Sequence, residues 1–258
     1  MSSLPLFHYE TRGPEGAPWV TFVPGIGNDI GFWSRHAHAL ATRFRVLSFA
    51  PWGHGDSPAP PANCRFEDVV AGLTQLWDHL GITRSALVGL GFGGSVALAT
   101  AISHPARVTR VAACCCRPRQ PDDRRAFWRE RQAKAAAIGM GKLADITVDR
   151  WLSEDFRQRH PEADAALRAM FKRTTVAGYQ AYVGAFIEMD FTARLPALSV
   201  PTLLIAAEHD HGGGPVPAMR EMAAAIPGAE FEIVAGAGHI VNFEAPGAVQ
   251  TLLDGFLR

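Results

Sequence analysis

The sequence predicts an α/β protein: a mostly parallel central sheet flanked by helices, with a helical segment inserted late in the chain. Three observations carry this. Short, continuously apolar, β-rich runs alternate with stretches of helical spacing through the first half, as in a parallel sheet buried on both faces. The run Ala86 to Leu90 passes through a glycine-rich turn directly into a helical stretch. Strand signals then vanish from Arg117 to about Phe191 and return at Thr202.

The elements follow in order. Trp19 to Val23 reads as a strand ending in the turn Pro24-Gly25-Ile26-Gly27, with a helix from about Ile30 to Ala41. Phe44 to Ala50 is a second strand, closed by Pro51-Trp52-Gly53-His54-Gly55. Phe66, Val69, Val70, Leu73, Trp77 and Leu80 form one helical stripe, and Gly81 stops that helix. Ala86 to Leu90 is a strand, Phe92 to Ser103 a helix, and Val108 to Ala113 a strand. Between Arg117 and Phe191 the spacing predicts three to five helices, with breaks near Gly139, Gly141 and Pro161. The alternation resumes with a strand at Thr202 to Ala206, a helix near Val216 to Ile226, a strand at Phe231 to Val234 and a helix from about Ala248 to Leu257. The expected division is core residues 1–116, a helical lid at residues 117–191, and core residues 192–258. A lid over the C-terminal edge of the sheet covers the place where open α/β sheets bind ligands.

A chain of 258 residues buries a large core in one domain, or in one domain with an insertion. Lys+Arg and Asp+Glu each total 25, so no basic excess exists to neutralise nucleic-acid phosphates or an anionic membrane. Neither is expected as a partner; a small-molecule substrate is. A hydrophobic share of 48% excludes a largely disordered chain. Met1 to Phe7 carries no basic n-region and no long apolar run, so no secretory signal is expected. Ser85 to Ser103 approaches membrane-spanning length, but Gly89, Gly91, Gly93 and Gly94 read better as a tight turn into a buried helix. Cys114, Cys115 and Cys116 are adjacent and do not easily pair with one another. Reduced thiols packed in a cytoplasmic protein are expected. No CxxC pair exists, so no metal site is expected.

The most informative segment is Val88-Gly89-Leu90-Gly91-Phe92-Gly93-Gly94. Gly89, Gly91 and Gly94 match the dinucleotide fingerprint G-x-G-x-x-G, but no Asp or Glu lies between Asp78 and Asp122 to hold a ribose. Gly89 and Gly93 also match the flanks of a nucleophile elbow, G-x-S-x-G, with Gly91 where the serine belongs. Glycine tolerates that strained turn best, yet it removes the nucleophile. An elbow needs an acid and then a histidine further along. Asp210 follows the strand Thr202 to Ala206, and His239 follows Val234. Both fall at the sheet edge where Gly91 lies.

These segments resemble the α/β-hydrolase family. The likeness runs through Val23 to Gly27, Gly53-His54-Gly55-Asp56-Ser57, the turn at Gly91, Ala207 to Asp210, and Gly238-His239. It looks most similar to lidded hydrolases of the 3-oxoadipate enol-lactonase type, including Gly139-Met140, Asp149-Arg150-Trp151 and Gly178-Tyr179 of the lid. Pro24-Gly25 stands where many members carry His-Gly, and Ala50 and Trp52 where an Asp and an Arg are common. The resemblance implies an α/β-hydrolase fold and a serine-type ester or lactone hydrolase working through an acyl-enzyme, without a cofactor. His239 would be the base, Asp210 its orienting acid, and the N–H groups of Ile26 and Phe92 the oxyanion hole. With Gly91 in place of the serine, that chemistry is disarmed. Alternatively, Asp210 and His239 serve as a general base in an isomerase, cyclase, lyase or water-attack lactonase, or the pocket binds a small molecule without turnover. Trp33, Trp128 and Trp151 are expected to line the pocket. One of the arginines opening the lid (Arg117, Arg119, Arg124, Arg125, Arg129, Arg131) is expected to meet a substrate carboxylate. His54 reads as structural, and His209 and His211 as loop residues.

Overall fold

The computed structural model describes residues 4–258; the start of the Met1 to Phe7 segment lies outside them. Seven strands form one sheet: β1 (Tyr9–Arg12), β2 (Trp19–Val23), β3 (Arg45–Phe49), β4 (Ser85–Leu90), β5 (Val108–Cys114), β6 (Thr202–Ala207) and β7 (Glu230–Val234). Their spatial order is β1-β3-β2-β4-β5-β6-β7. All neighbours are parallel except the β1–β3 pair, which is antiparallel. The chain steps outward from β2 to β3 and then back to β4. The strand order therefore reverses between β2 and β4, where such sheets form a ligand crevice.

Helices cover both faces. In chain order they are α1 (Ser34–Leu40), α2 (Phe66–His79), α3 (Phe92–Ser103), α4 (Asp122–Trp151), α5 (Glu154–Arg159), α6 (Pro161–Lys172), α7 (Val176–Glu188), α8 (Val216–Ala225), α9 (Val241–Glu244) and α10 (Pro246–Phe256). Helix α2 buries the stripe from Phe66 to Trp77 and stops at Gly81, whose φ is +67°. Helices α4 to α7 lie between β5 and β6 in sequence. Helix α4 runs past Gly141 and is broken at Gly139 alone, where φ is +74°. The inserted helices are tied to the core loop after β3. Thr175 N–H donates to the Gly53 carbonyl at 2.7 Å, and Trp52 N–H donates to the Tyr182 hydroxyl at 3.2 Å. Arg173 pairs with Asp29 and Asp56.

Helix α3 is the central helix, and it is buried on all sides from Phe92 to Ala101. Its position follows from two glycines. A Cβ at Gly93 would lie 2.2 Å from the Val23 carbonyl oxygen, and one at Gly89 would lie 2.3 Å from that of Gly93. Only hydrogen at these positions lets helix and strands approach this closely. Gly93→Ala is expected to lower stability by about 3 kcal/mol or more, because backbone on both sides must move. Gly141→Ala meets open space in a helix and should raise stability by about 0.5–1 kcal/mol. Urea midpoints check the pair, and equal effects would refute the close-packing account.

Candidate active site

Five strand ends converge at one edge of the sheet. They carry Ile26 after β2, Gly91 after β4, Cys115 after β5, Asp210 after β6 and His239 after β7. Together with helix α4 they enclose a cavity of about 400 Å³.

Gly91 joins β4 to α3 with φ +59° and ψ −124°, a region closed to most side chains. Its N–H donates to the Cys114 carbonyl at 2.9 Å, which holds the turn against β5. A Cβ on this backbone would stand 3.3 Å from His239 Nε2 and 3.5 Å from Cε1. The His239 ring therefore faces the space that a side chain at position 91 would fill.

Asp210 is 2% exposed, so its charge must be fully compensated. Oδ1 accepts the N–H groups of Gly212 and Gly213, both at 2.8 Å. Oδ2 accepts the Gly214 N–H at 2.7 Å and His239 Nδ1 at 3.0 Å. Burial alone would raise this carboxyl. The charge and hydrogen bond of His239 and the N–H groups of Gly214 and Gly213 outweigh it, and the group sits well below the usual carboxylate range. A carboxylate only accepts, so His239 Nδ1 carries a proton, and in the neutral ring Nε2 is then the acceptor facing Gly91.

The three glycines after Asp210 form this cradle, and sequence reading did not single them out. The run Gly212-Gly213-Gly214 was its visible trace. A Cβ at Gly213 would fall 2.0 Å from His239 Cε1, so hydrogen is required where the loop passes the ring. The histidine loop is fastened from the other side by Glu244 of α9. Its carboxylate accepts the N–H of Gly238 at 2.6 Å and that of Ser153, the cap of α5, at 2.7 Å. One side chain thus links the His239 loop to the inserted helices.

Ile26 and Phe92 both border the cavity. Phe92 is the first residue of α3, and the first N–H groups of a helix have no acceptor within it. Trp128 and Trp151 line the cavity, packed edge-on against Phe186 and Phe171. Trp33 does not. It is 2% exposed, stacked on Phe22 at 5.2 Å, with its Nε1–H donating to the Val23 carbonyl. The expectation that it lines the pocket is corrected: its 3-10 turn packs inward on the sheet. His209 and His211 border the cavity beside Asp210, and His54 is fully buried against Tyr182.

Cys115 Sγ lies within 4.8 Å of ligand atoms of Asp210 and His239. Both Asp210 oxygens already accept two hydrogen bonds each. Burial, with the Asp210 charge next, pushes the thiol well above its ordinary value. The trio is built as a hydrogen-bonded carboxylate and imidazole beside a neutral thiol, with both carboxylate oxygens and His239 Nδ1 already engaged with one another and with the loop N–H groups.

The fold and this edge define an α/β hydrolase. Residues 18–246 match the family model of the alpha/beta hydrolase fold, and the chain belongs to that family. It is 27% identical to 3-oxoadipate enol-lactonase 1 of Acinetobacter baylyi, over 96% of this chain and 92% of that one. The solved enol-lactonase from Burkholderia xenovorans LB400 is 34% identical, covering 97% of this chain and 96% of its own, with a TM-score of 0.93. A thermophilic esterase from Thermogutta terrifontis, solved with malate bound, is 27% identical over 100% and 98% of the two chains, with a TM-score of 0.90. The dinucleotide reading of Gly89, Gly91 and Gly94 falls with this membership. Among the described residues, no helix is long and apolar enough to cross a membrane.

Proposed function

We propose that the chain hydrolyses a small ester or lactone by general-base catalysis, with water as the nucleophile. The observation that carries this is the intact Asp210–His239 pair facing a backbone that offers no side-chain nucleophile. His239 Nε2 takes a proton from a water molecule held above Gly91, and the water oxygen attacks the acyl carbon. The N–H groups of Phe92 and Ile26 receive the developing oxyanion. Asp210 stabilises the imidazolium, which returns its proton to the leaving alkoxide. No covalent acyl-enzyme forms at position 91. The inserted helices, residues 117–191, serve as the lid, and Trp128 and Trp151 are its substrate-facing aromatics. The cavity volume is that of a small-ligand site, and the relatives' names point to lactones and esters.

The chain should hydrolyse activated lactones and esters at about 10⁵-fold or more over the uncatalysed rate, about 10³–10⁴ from the oxyanion hole and binding and about 10²-fold or more from the base. His239→Ala should remove about 10²-fold or more of that. In H2(18)O the heavy oxygen should enter the acid product in a single turnover, and a fluorophosphonate should leave the protein unlabelled. An unchanged rate in His239→Ala would sink the reading.

A further inference from the structure

The structure sorts the arginines of the inserted helices into two groups. Arg125, Arg129, Arg157, Arg159, Arg168 and Arg173 form ion pairs with Asp or Glu. Arg124, Arg131 and Arg150 line the cavity, and among the described residues none of them forms one. Their guanidinium carbons sit 4.8, 5.7 and 4.5 Å from the centroid of a single ring, Phe127. That shared ring offsets part of the repulsion among three like charges. Arg131 is buried and anchored, donating to the Tyr179 hydroxyl at 3.4 Å and to Thr147 Oγ1. Arg124 donates to the Gly212 carbonyl at 2.9 Å, and its buried Nε has no partner. Burial, then the charges of Arg131 and Arg124, hold the Arg150 guanidinium below its ordinary value.

The charge count is unusual. Asp210 is the sole acidic residue on the cavity wall, against three arginines, which leaves a net +2 with histidines neutral. Asp210 is already saturated by three N–H groups and His239, so it cannot also serve the arginines. The cations also stand close to the acid–base pair. A Cβ at Gly212 would lie 3.5 Å from an Arg150 Nη and 3.6 Å from an Arg124 Nη. One carboxylate would leave a guanidinium uncompensated; two balance the wall. Guanidinium forks match planar carboxylates.

We propose that Arg124, Arg131 and Arg150 form a dianion site, so that the substrate carries two free carboxylates beside the acyl bond that is cut. The reaction part rests on the base role proposed for His239; the anion site itself does not.

Calorimetric titration of the full chain with succinate, butyrate and inorganic phosphate tests it. Succinate should bind at least about tenfold tighter than butyrate. Arg150→Gln should erase most of that advantage, because Arg150 is solvent-exposed along part of its length, turns its guanidinium into the cavity and, among the described residues, forms no ion pair, so the change should not unfold the protein; Arg150→Lys should restore part of it. His239→Ala should keep succinate binding while losing turnover, which separates the anion site from the base. Equal affinity for succinate and butyrate, or binding indifferent to Arg150, overturns the proposal. Phosphate binding tighter than succinate, with the same dependence on Arg150, overturns the dicarboxylate assignment.

Discussion

Gly91→Ser is expected to convert the chain into a fluorophosphonate-reactive enzyme that hydrolyses activated esters and lactones at least about 10²-fold faster than its parent. The Cβ direction is already set, 3.3 Å from His239 Nε2. The serine Oγ, one bond further, falls within hydrogen-bond reach of that nitrogen once the ring gives by a few tenths of an ångström. The imidazole, the carboxylate hydrogen-bonded to it and the helix-terminal N–H stand where the proposed base, orienting acid and oxyanion donor are required, so one hydroxyl would complete the constellation. The change carries a cost. A side chain at φ +59° loses about 1–3 kcal/mol of stability, read as a lower urea midpoint. His239→Ala in the serine background should abolish labelling. Gly91→Ala is the control. Its methyl group takes the space proposed for water without supplying a nucleophile, so it should fall below the parent chain in activity. A serine variant that neither labels nor turns over would mean that the edge geometry is not that of an acyl-transfer site.

The inner parallel strands were readable because burial on both faces writes them as continuous apolar runs, as in Trp19 to Val23 and Thr202 to Ala207. Strand β1 was missed for the converse reason. Tyr9-Glu10-Thr11-Arg12 is a half-exposed edge strand, polar and short, whose pairing with β3 is made across the fold. Asp210 and His239 were legible because topology alone puts residues after parallel strands on one edge. The Asp210 cradle was not, since a glycine run reads as loop until the carboxylate it surrounds is seen. Trp33 misled because position after the first turn does not say which way the side chain points. Arg150 is the penultimate residue of α4, far in sequence from Arg124. Only the kink at Gly139 and the packing around Phe127 bring the two together.

Asp210→Ala is expected to cost about 3–5 kcal/mol, the scale for breaking a buried charged pair. It strands the N–H groups of Gly212, Gly213 and Gly214 and releases His239. Asp210→Asn keeps the shape but offers an NH2 where one oxygen accepted. It should favour the His239 tautomer that places the proton on Nε2, and cost about 10⁴-fold in the Gly91→Ser background. The pH dependence separates charge from shape. The folded carboxyl lies below its unfolded value of about 3.9. Its stabilising contribution is therefore complete above that value and is lost as pH falls below about 4 toward the folded value. The stability gap between the parent chain and Asp210→Asn should be widest near pH 7 and shrink steadily below pH 4 in urea titrations. A gap that stays constant into acid would mean that Asp210 works through shape and hydrogen bonding alone, with no net benefit from its charge.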